Sequence, residues 1–333
     1  MGFYFEIREK VRFHPWVQRL IYTAEGLRYA RGSALSRNIA RRAPLVPGPA
    51  QGVAVCVRIK DEASALTEWL EYHSLAGVNH FFIYESFSSD NFREVLRPYI
   101  QNGLVTLIAD WPYVPVTPQA EEDCILRTLN RFEWVGFMDM DEFLVIRDGS
   151  AIGEFLARFS DRPACGIHWI YFGTSGHKQR VAGSVIRNYT RRNATPNRHL
   201  KVFVRPAEAT HCRNPHSWHF RNFGNAVTEA GKPVYGSFVP KPEIRDAWIG
   251  HFHCKSEDEY LAKGLKKEAC DSFAMKFQRI TEAHLRGNLA DWNAVEDLSV
   301  QNYYRQRCEK NGVPPTLLRT DGLSMPKLTE PPA

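Results

Sequence analysis

The chain has 333 residues, enough for one large domain or two ordinary ones, with 44% hydrophobic and 24% charged residues. Its formal charge of +6 resides entirely in residues 1–50, which hold nine Lys/Arg against three Glu, while the remainder carries thirty-four residues of each sign. A neutral body excludes a basic nucleic-acid binder, and no stretch approaches the roughly 18 apolar residues of a membrane-spanning helix.

Residues 1–50 form a basic arm ending in a linker marked by Pro44, Pro47, Gly48, Pro49 and Gly52. The arm mixes Phe3, Tyr4, Phe5, Phe13, Trp16, Leu20 and Ile21 with Arg12, Arg19, Arg28 and Arg31, which suits an anionic bilayer surface. The plainer expectation is a helix packed on the main domain, or a poorly ordered arm. It has no apolar core like an export signal's. Seven cysteines, an odd number without a Cys-x-x-Cys pair, point to reduced thiols. Both features imply a cytoplasmic protein, peripheral to the inner face of the membrane if the arm binds there.

After the linker, Val53–Ile59 reads as a buried strand, and Asp61 is placed to cap a helix with Leu66, Trp69, Leu70 and His73 on one face. Gly77 ends that helix. His80–Tyr84 is a second strand, 91–100 a second helix closed by Asn102-Gly103, and 104–109 a third strand. Helix 119–132 follows, with Ala120, Cys124, Leu129 and Phe132 on one side, and then the apolar run Trp134-Val135-Gly136-Phe137-Met138. Strand and helix alternating in this way imply a mostly parallel sheet flanked by helices, an α/β fold of Rossmann type. The second half is less regular: a short helix over 150–159, then strands at 166–172, 181–189 and 200–204, with helices returning after Glu257 and a loose tail over 311–333.

Ligands of such sheets bind beyond the carboxyl ends of the strands. Arg58, Lys60, Asp61 and Glu62 follow the first strand, Glu85 the second and Asp110 the third, so one rim collects them. Asp139-Met140-Asp141-Glu142 ends the fourth. Two carboxylates at i and i+2 share a face of an extended chain and repel unless something positive lies between them. A divalent cation with oxygen ligands answers that requirement. The chain lacks both Gly-x-Gly-x-x-Gly after the first strand and a P-loop, so phosphate charge falls to a metal and basic side chains. A nucleoside-diphosphate sugar fits, with Mn²⁺ or Mg²⁺ on Asp139 and Asp141 easing departure of the nucleotide.

Histidines concentrate in the second half. His251 and His253 share a face of an extended segment, and one of them suits the same metal. A zinc site from Cys212, His216, His219, His251 and Cys254 is the rival, though its spacing matches no structural zinc pattern. The turn Gly173-Thr174-Ser175-Gly176-His177-Lys178 after the aromatic run His168–Phe172 reads as an acceptor-site loop or an ordinary hairpin.

Taken in order, several fragments resemble the GT-A glycosyltransferases, specifically glycosyltransferase family 92 and its bacterial family 2-like relatives. They are Ile59-Lys60-Asp61-Glu62-Ala63, Glu68–His73, Leu75–Phe81, Asp123-Cys124, Trp134–Leu144, Gly176-His177-Lys178, Asn214-Pro215-His216, and Ile249-Gly250-His251-Phe252 with Lys255-Ser256. The resemblance runs from about Val53 to about Leu298. It implies a GT-A domain over 51–310 with a mixed strand/helix acceptor half, and an inverting hexosyltransferase of glycan assembly. The donor would be a UDP-sugar, often UDP-galactose, and the acceptor a glycan or glycolipid. By this resemblance Asp139, Asp141 and His251 hold the metal. Arg58, Lys60, Asp61, Glu62, Glu85, Asp110, Asp123 and Asp139 belong to the donor side. Two positions depart from the family: Glu85 stands where it usually has Asp, and Glu122 where it often has Asn. Direct displacement needs a general base near the acceptor hydroxyl, for which Glu229, Glu243, Asp246, His177 and His216 are candidates. The alternative is a catalytically inactive nucleotide- or glycan-binding protein of the same fold.

Overall fold

The computed structural model describes residues 14–30, 34–35, 37–38, 50–112, 118–262 and 282–319. Two compact units result, one of residues 1–169 and 196–249, the other of residues 170–195 and 250–333. Within the arm, Pro15–Ala30 is a helix, α1. It packs on the first unit as the plainer expectation had it: the Tyr22 hydroxyl donates to the carbonyls of Trp218 and Gly224, each at 3.0 Å. Residues 1–13 of the arm and 320–333 of the tail lie outside the described residues.

The first unit is built on a ten-stranded sheet. Its parallel half has the order β3-β2-β1-β4, from Val105–Ile108, His80–Glu85, Val53–Ile59 and Trp134–Phe137. β1, β2 and β4 are apolar along almost their whole length and buried, as strands covered on both faces must be. The crossovers are α2 (Ala63–Leu75), α3 (Phe92–Gln101) and α4 (Gln119–Thr128). α2 buries Leu66, Trp69, Leu70 and His73, the predicted face. Its cap differs from the expectation. Asp61 adopts a left-handed φ of 55° and accepts from Ser89 instead. The first N–H of the helix, that of Ala63, donates to Asp90 Oδ2 at 2.7 Å. An acid remote in sequence thus does what a neighbour was expected to do.

Beside β4 the sheet changes direction. β8 (Leu200–Val204) pairs antiparallel with β4 and with β6 (Ala164–Tyr171). β11 (Ala226–Thr228) then runs parallel to β6 and pairs antiparallel with β12 (Pro233–Val234). β13 (Ala247–His251) joins both β6 and β5 (Glu142–Ile146). Gly136 faces Phe203 across the β4–β8 pair, where a Cβ would stand 2.4 Å from the ring. Only glycine admits the aromatic there. The hairpin of β9 (Ala209–Asn214) and β10 (Ser217–Phe220) carries α1, and α5 (Ile152–Leu156) begins the short helix predicted at 150–159.

In the second unit, β7 (Arg191–Arg192) pairs with β14 (Val295–Glu296), and Arg192 is ion-paired with Asp297. The strand expected over 181–189 is instead α6 (Val185–Asn188). Gly183, at φ 95°, turns the chain, and the Ser184 side chain caps the helix by accepting from Arg187 N–H. α7 (Glu282–Trp292) and α8 (Ser299–Lys310) complete the unit. Asn293, just after α7, holds the Gly173–Lys178 turn by accepting from Ser175 N–H at 2.8 Å. A Cβ on Gly173 would lie 2.4 Å from that same Asn293 side chain.

Candidate active site

Strand register aligns the carboxyl ends into one rim: Ile59 pairs with Glu85, Tyr84 with Ile108, and Cys56 with Phe137. The residues collected there do different jobs. Glu85 is 1% exposed and accepts from the N–H groups of Ser88 and Asp110, so it ties the loops after β2 and β3 together. Asp61 ties the loop after β1 to Ser89. Asp123 accepts from the Tyr84 hydroxyl at 2.8 Å and from Arg127 at 2.6 Å, joining α4 to β2. Asp110, at φ 54°, is exposed 3.7 Å from Arg93, and Lys60 is exposed.

Asp139 is different. β4 ends at Phe137 and the chain turns, with the Glu142 N–H donating to the Asp139 carbonyl at 3.2 Å. Asp139 and Asp141 therefore occupy a turn, not the extended segment expected, and the argument from a shared strand face does not apply. The positive partner for Asp139 is Lys201, the second residue of β8. Lys201 is 1% exposed, and its Nζ donates to Asp139 Oδ2 at 2.7 Å. The same Nζ lies 3.3 Å from Glu142 Oε2, which also accepts from the Asp139 N–H at 3.0 Å. Burial alone would lower the lysine pKa. The Asp139 and Glu142 carboxylates outweigh that effect and hold it above its ordinary value. Trp69 Nε1 donates to the Glu142 carbonyl at 3.0 Å and Tyr72 donates to Leu144 at 2.7 Å, so α2 pins the turn from the other side. The outcome is a rigid base beneath a carboxylate whose side chain is 56% exposed.

Next to this cluster Arg58 Nε lies 3.4 Å from Glu121, whose carboxyl is driven upward in pKa by burial, with Arg58 opposing. Arg58, Glu121, Asp139 and Lys201 line a cleft of about 10 Å³ with Phe137 and Pro215, room for about one water. Trp169 forms a wall nearby: the His199 ring stacks on it at 5.0 Å, and Lys201 Nζ stands 5.9 Å from its centroid. Lys201, Glu121 and His199 were not singled out from the sequence. For Lys201 a signal existed, a lone cation within the apolar run Leu200–Val204.

The candidate bases fall in separate places. Glu229 follows β11, which runs parallel to β4 through the intervening β6 and β8. Counting along the register, Glu229 is level with Lys201 and Met138, three strand spacings or roughly 14 Å from β4. Burial raises its pKa, while the N–H groups of Arg245 and Asp246 donate to its two oxygens and oppose the rise. His216 is held neutral, its pKa pushed down to about 3 by burial and by Lys201, with Nδ1 donating to the Leu200 carbonyl. Glu243 is exposed and paired with Lys232, and Asp246 lies 4.0 Å from Arg158. His177, in the second unit, has Nε2 on the Asn188 carbonyl at 3.1 Å.

The histidine and cysteine clusters resolve into individual roles. His211 bonds Glu122 at 3.0 Å, and the Glu122 carboxylate also accepts from Cys212 N–H, which accounts for an acid at that position. His219 is buried against Glu25 and stacks on Tyr22. In the second unit Cys254 Sγ donates to the Phe172 carbonyl at 3.4 Å. Cys212, His216 and His219 thus each serve packing or hydrogen bonding, not a zinc site. His251 and His253 stand with their rings 5.3 Å apart beside Tyr171.

Compared with known proteins, the chain matches the sequence profile of glycosyltransferase family 92 over residues 51–241, more than half its length. The chain belongs to glycosyltransferase family 92. A family 92 protein of Oryza sativa subsp. japonica is 34% identical over 187 residues, 53% of this chain and 32% of that protein. One from Ricinus communis is 31% identical over 180 residues, again 32% of its length. The chain therefore spans about a third of the family 92 relatives it matches. Among solved structures, Staphylococcus aureus TarS 1–349 gives a TM-score of 0.36 at 10% identity, covering 79% of this chain and 74% of that one. A mannosyltransferase from Pyrobaculum calidifontis in complex with GDP-Man and Mn²⁺ gives 0.29 at 17% identity, covering 45% and 46%.

Proposed function

We propose that this family 92 member is a metal-dependent, inverting hexosyltransferase of glycan assembly. It would move a sugar, galactose by resemblance, from a UDP-sugar to a glycan or glycolipid acceptor. Residues 51–310 would form the transferase domain, between the arm of 1–50 and the tail of 311–333, working at the cytoplasmic side of a membrane. The observation that carries this reading is the Asp139 carboxylate, held outward on the sheet's carboxyl rim by a buried lysine.

The donor set fits a divalent cation. In the first unit the Asp139 and Asp141 carboxylates suit Mn²⁺ or Mg²⁺, and in the second His251 and His253, with rings 5.3 Å apart, offer imidazole nitrogens that suit Mn²⁺. By the family resemblance Asp139, Asp141 and His251 would hold the cation. When bound, the cation would neutralise charge building on the departing diphosphate. Arg58 and Glu121 border the donor side. Among the candidate bases we favour Glu229, a reading supported by the burial that raises its pKa and by its position roughly 14 Å from β4 along the sheet. Displacement then forms the bond from acceptor oxygen to anomeric carbon as the bond to the diphosphate breaks, and the acceptor proton passes to the base.

Asp139→Ala and Asp141→Ala test the reading. Each should remove Mn²⁺-dependent donor turnover, by about a thousandfold or more, while circular dichroism stays native. Full activity in either variant overturns it.

A further inference from the structure

Among the described residues, α1 meets the rest of the first unit through one face. Tyr22 and Glu25 point inward, onto Trp218, His219 and Arg213. Outward stand Trp16, 67% exposed, Leu20, 59%, and Leu27, 55%, spaced by four and seven residues and so aligned along one line of the helix. Ile21 flanks that line and is also exposed, at 43%. Large apolar side chains in a row on the surface mark a contact face, and tryptophan is favoured where apolar matrix meets water.

Beside this stripe lies a cavity of about 210 Å³ between α1 and the segment that follows β10. Tyr22, His219, Phe220 and Tyr235 supply aromatic walls, and the exposed Arg19 and Thr23 of α1 stand at its edge. It is smaller than the roughly 300 Å³ at which pockets for drug-sized ligands begin, so it suits a compact polar group better than a nucleotide sugar.

We propose that α1 docks the protein on an anionic phospholipid bilayer, with the Trp16–Leu20–Leu27 stripe in the interface and a lipid head group in the cavity beside Arg19. Charge selects this occupant over a second copy of the chain: residues 1–50 carry the whole +6, which like copies would repel and an anionic surface attracts. This names the membrane partner within the transferase reading, but its test does not depend on sugar transfer.

The full chain is sedimented with vesicles of phosphatidylglycerol mixed into phosphatidylcholine and with vesicles of phosphatidylcholine alone. The wild type should pellet with the anionic vesicles, less so at high salt. The variant Trp16→Ser/Leu20→Ser/Leu27→Ser, altered only at exposed positions, should lose at least tenfold in partition. Arg19→Gln should lose severalfold. Absence of anionic-vesicle binding, or equal binding by the triple variant, overturns the proposal. So does a concentration-dependent dimer that the triple variant abolishes, since the stripe would then belong to a second copy. Donor turnover in solution, measured on the same triple variant, should be unchanged, which separates this outcome from any failure of the transferase reading.

Discussion

The two halves of the first unit's rim use acids in opposite ways. Beyond β1, β2 and β3, Asp61, Glu85 and Asp123 are satisfied by backbone N–H groups and neighbouring side chains, and they fix loops. Beyond β4, Asp139 is held by Lys201 from the antiparallel β8 and presented to solvent. The difference follows from topology. In the parallel half the acids at the strand ends tie neighbouring loops to one another. Where β8 reverses the direction, its first residues come level with the end of β4, so Lys201 stands beside Asp139. The sheet's change of direction is where its open chemistry collects.

Removing Lys201 is the strongest way to break that comparison. Lys201→Met leaves Asp139 and the fully buried Glu142 without their shared cation, and should destabilise the fold by about 3 kcal/mol in urea denaturation. Adding Glu142→Gln should restore part of it, giving a favourable coupling in a double-mutant cycle. An additive cycle would mean that the lysine and the acids act separately.

His73 sharpens the other side, where polar groups only support structure. It is fully buried in α2, its pKa pushed down to about 4 by burial, with Nδ1 donating to the Trp69 carbonyl. A lowered histidine pKa means that the unfolded chain binds more protons between pH 6.5 and 4, so stability falls as pH drops through that window. The full effect is up to about 3 kcal/mol. His73→Leu should flatten the dependence of unfolding free energy on pH; an unchanged slope would exclude His73 as its source.

The smallest expected effect belongs to Glu71, whose pKa is raised to about 7 by burial and by Glu68 against the Tyr99 hydrogen bond. Its protonated form is favoured in the folded state, so stability is fully present near pH 4.5 and declines as pH rises through 7. Glu71→Gln should gain about 1 kcal/mol at pH 8, after allowance for solvent screening, and nothing at pH 4.5.

Much of this fold was legible because burial on both faces leaves unbroken apolar runs, and β1, β2, β4 and α2 fall where those runs and the helical spacing put them. The cap of α2 was hidden, because Asp90 reaches Ala63 across twenty-seven residues and no local pattern records it. The 181–189 segment misled because its apolar residues suggest a strand, while Gly183 and Ser184 impose a turn and a cap. At the site, Asp139 and Asp141 could be found from their anomalous charge at a strand end. Their counter-ion could not be located, since Lys201 meets Asp139 only through the β4–β8 pairing. The hydrogen bonds by which Glu85 and Asp123 fix a loop and a helix join residues distant in sequence and leave no local pattern.

The most direct test compares Mn²⁺-dependent turnover of UDP-hexose donors by Asp141→Asn and Glu85→Gln. Asp141→Asn should lose about a thousandfold in kcat/KM, and Glu85→Gln should stay within about tenfold of wild type while losing thermal stability. Retained activity in Asp141→Asn, or its collapse in a folded Glu85→Gln, would contradict the account.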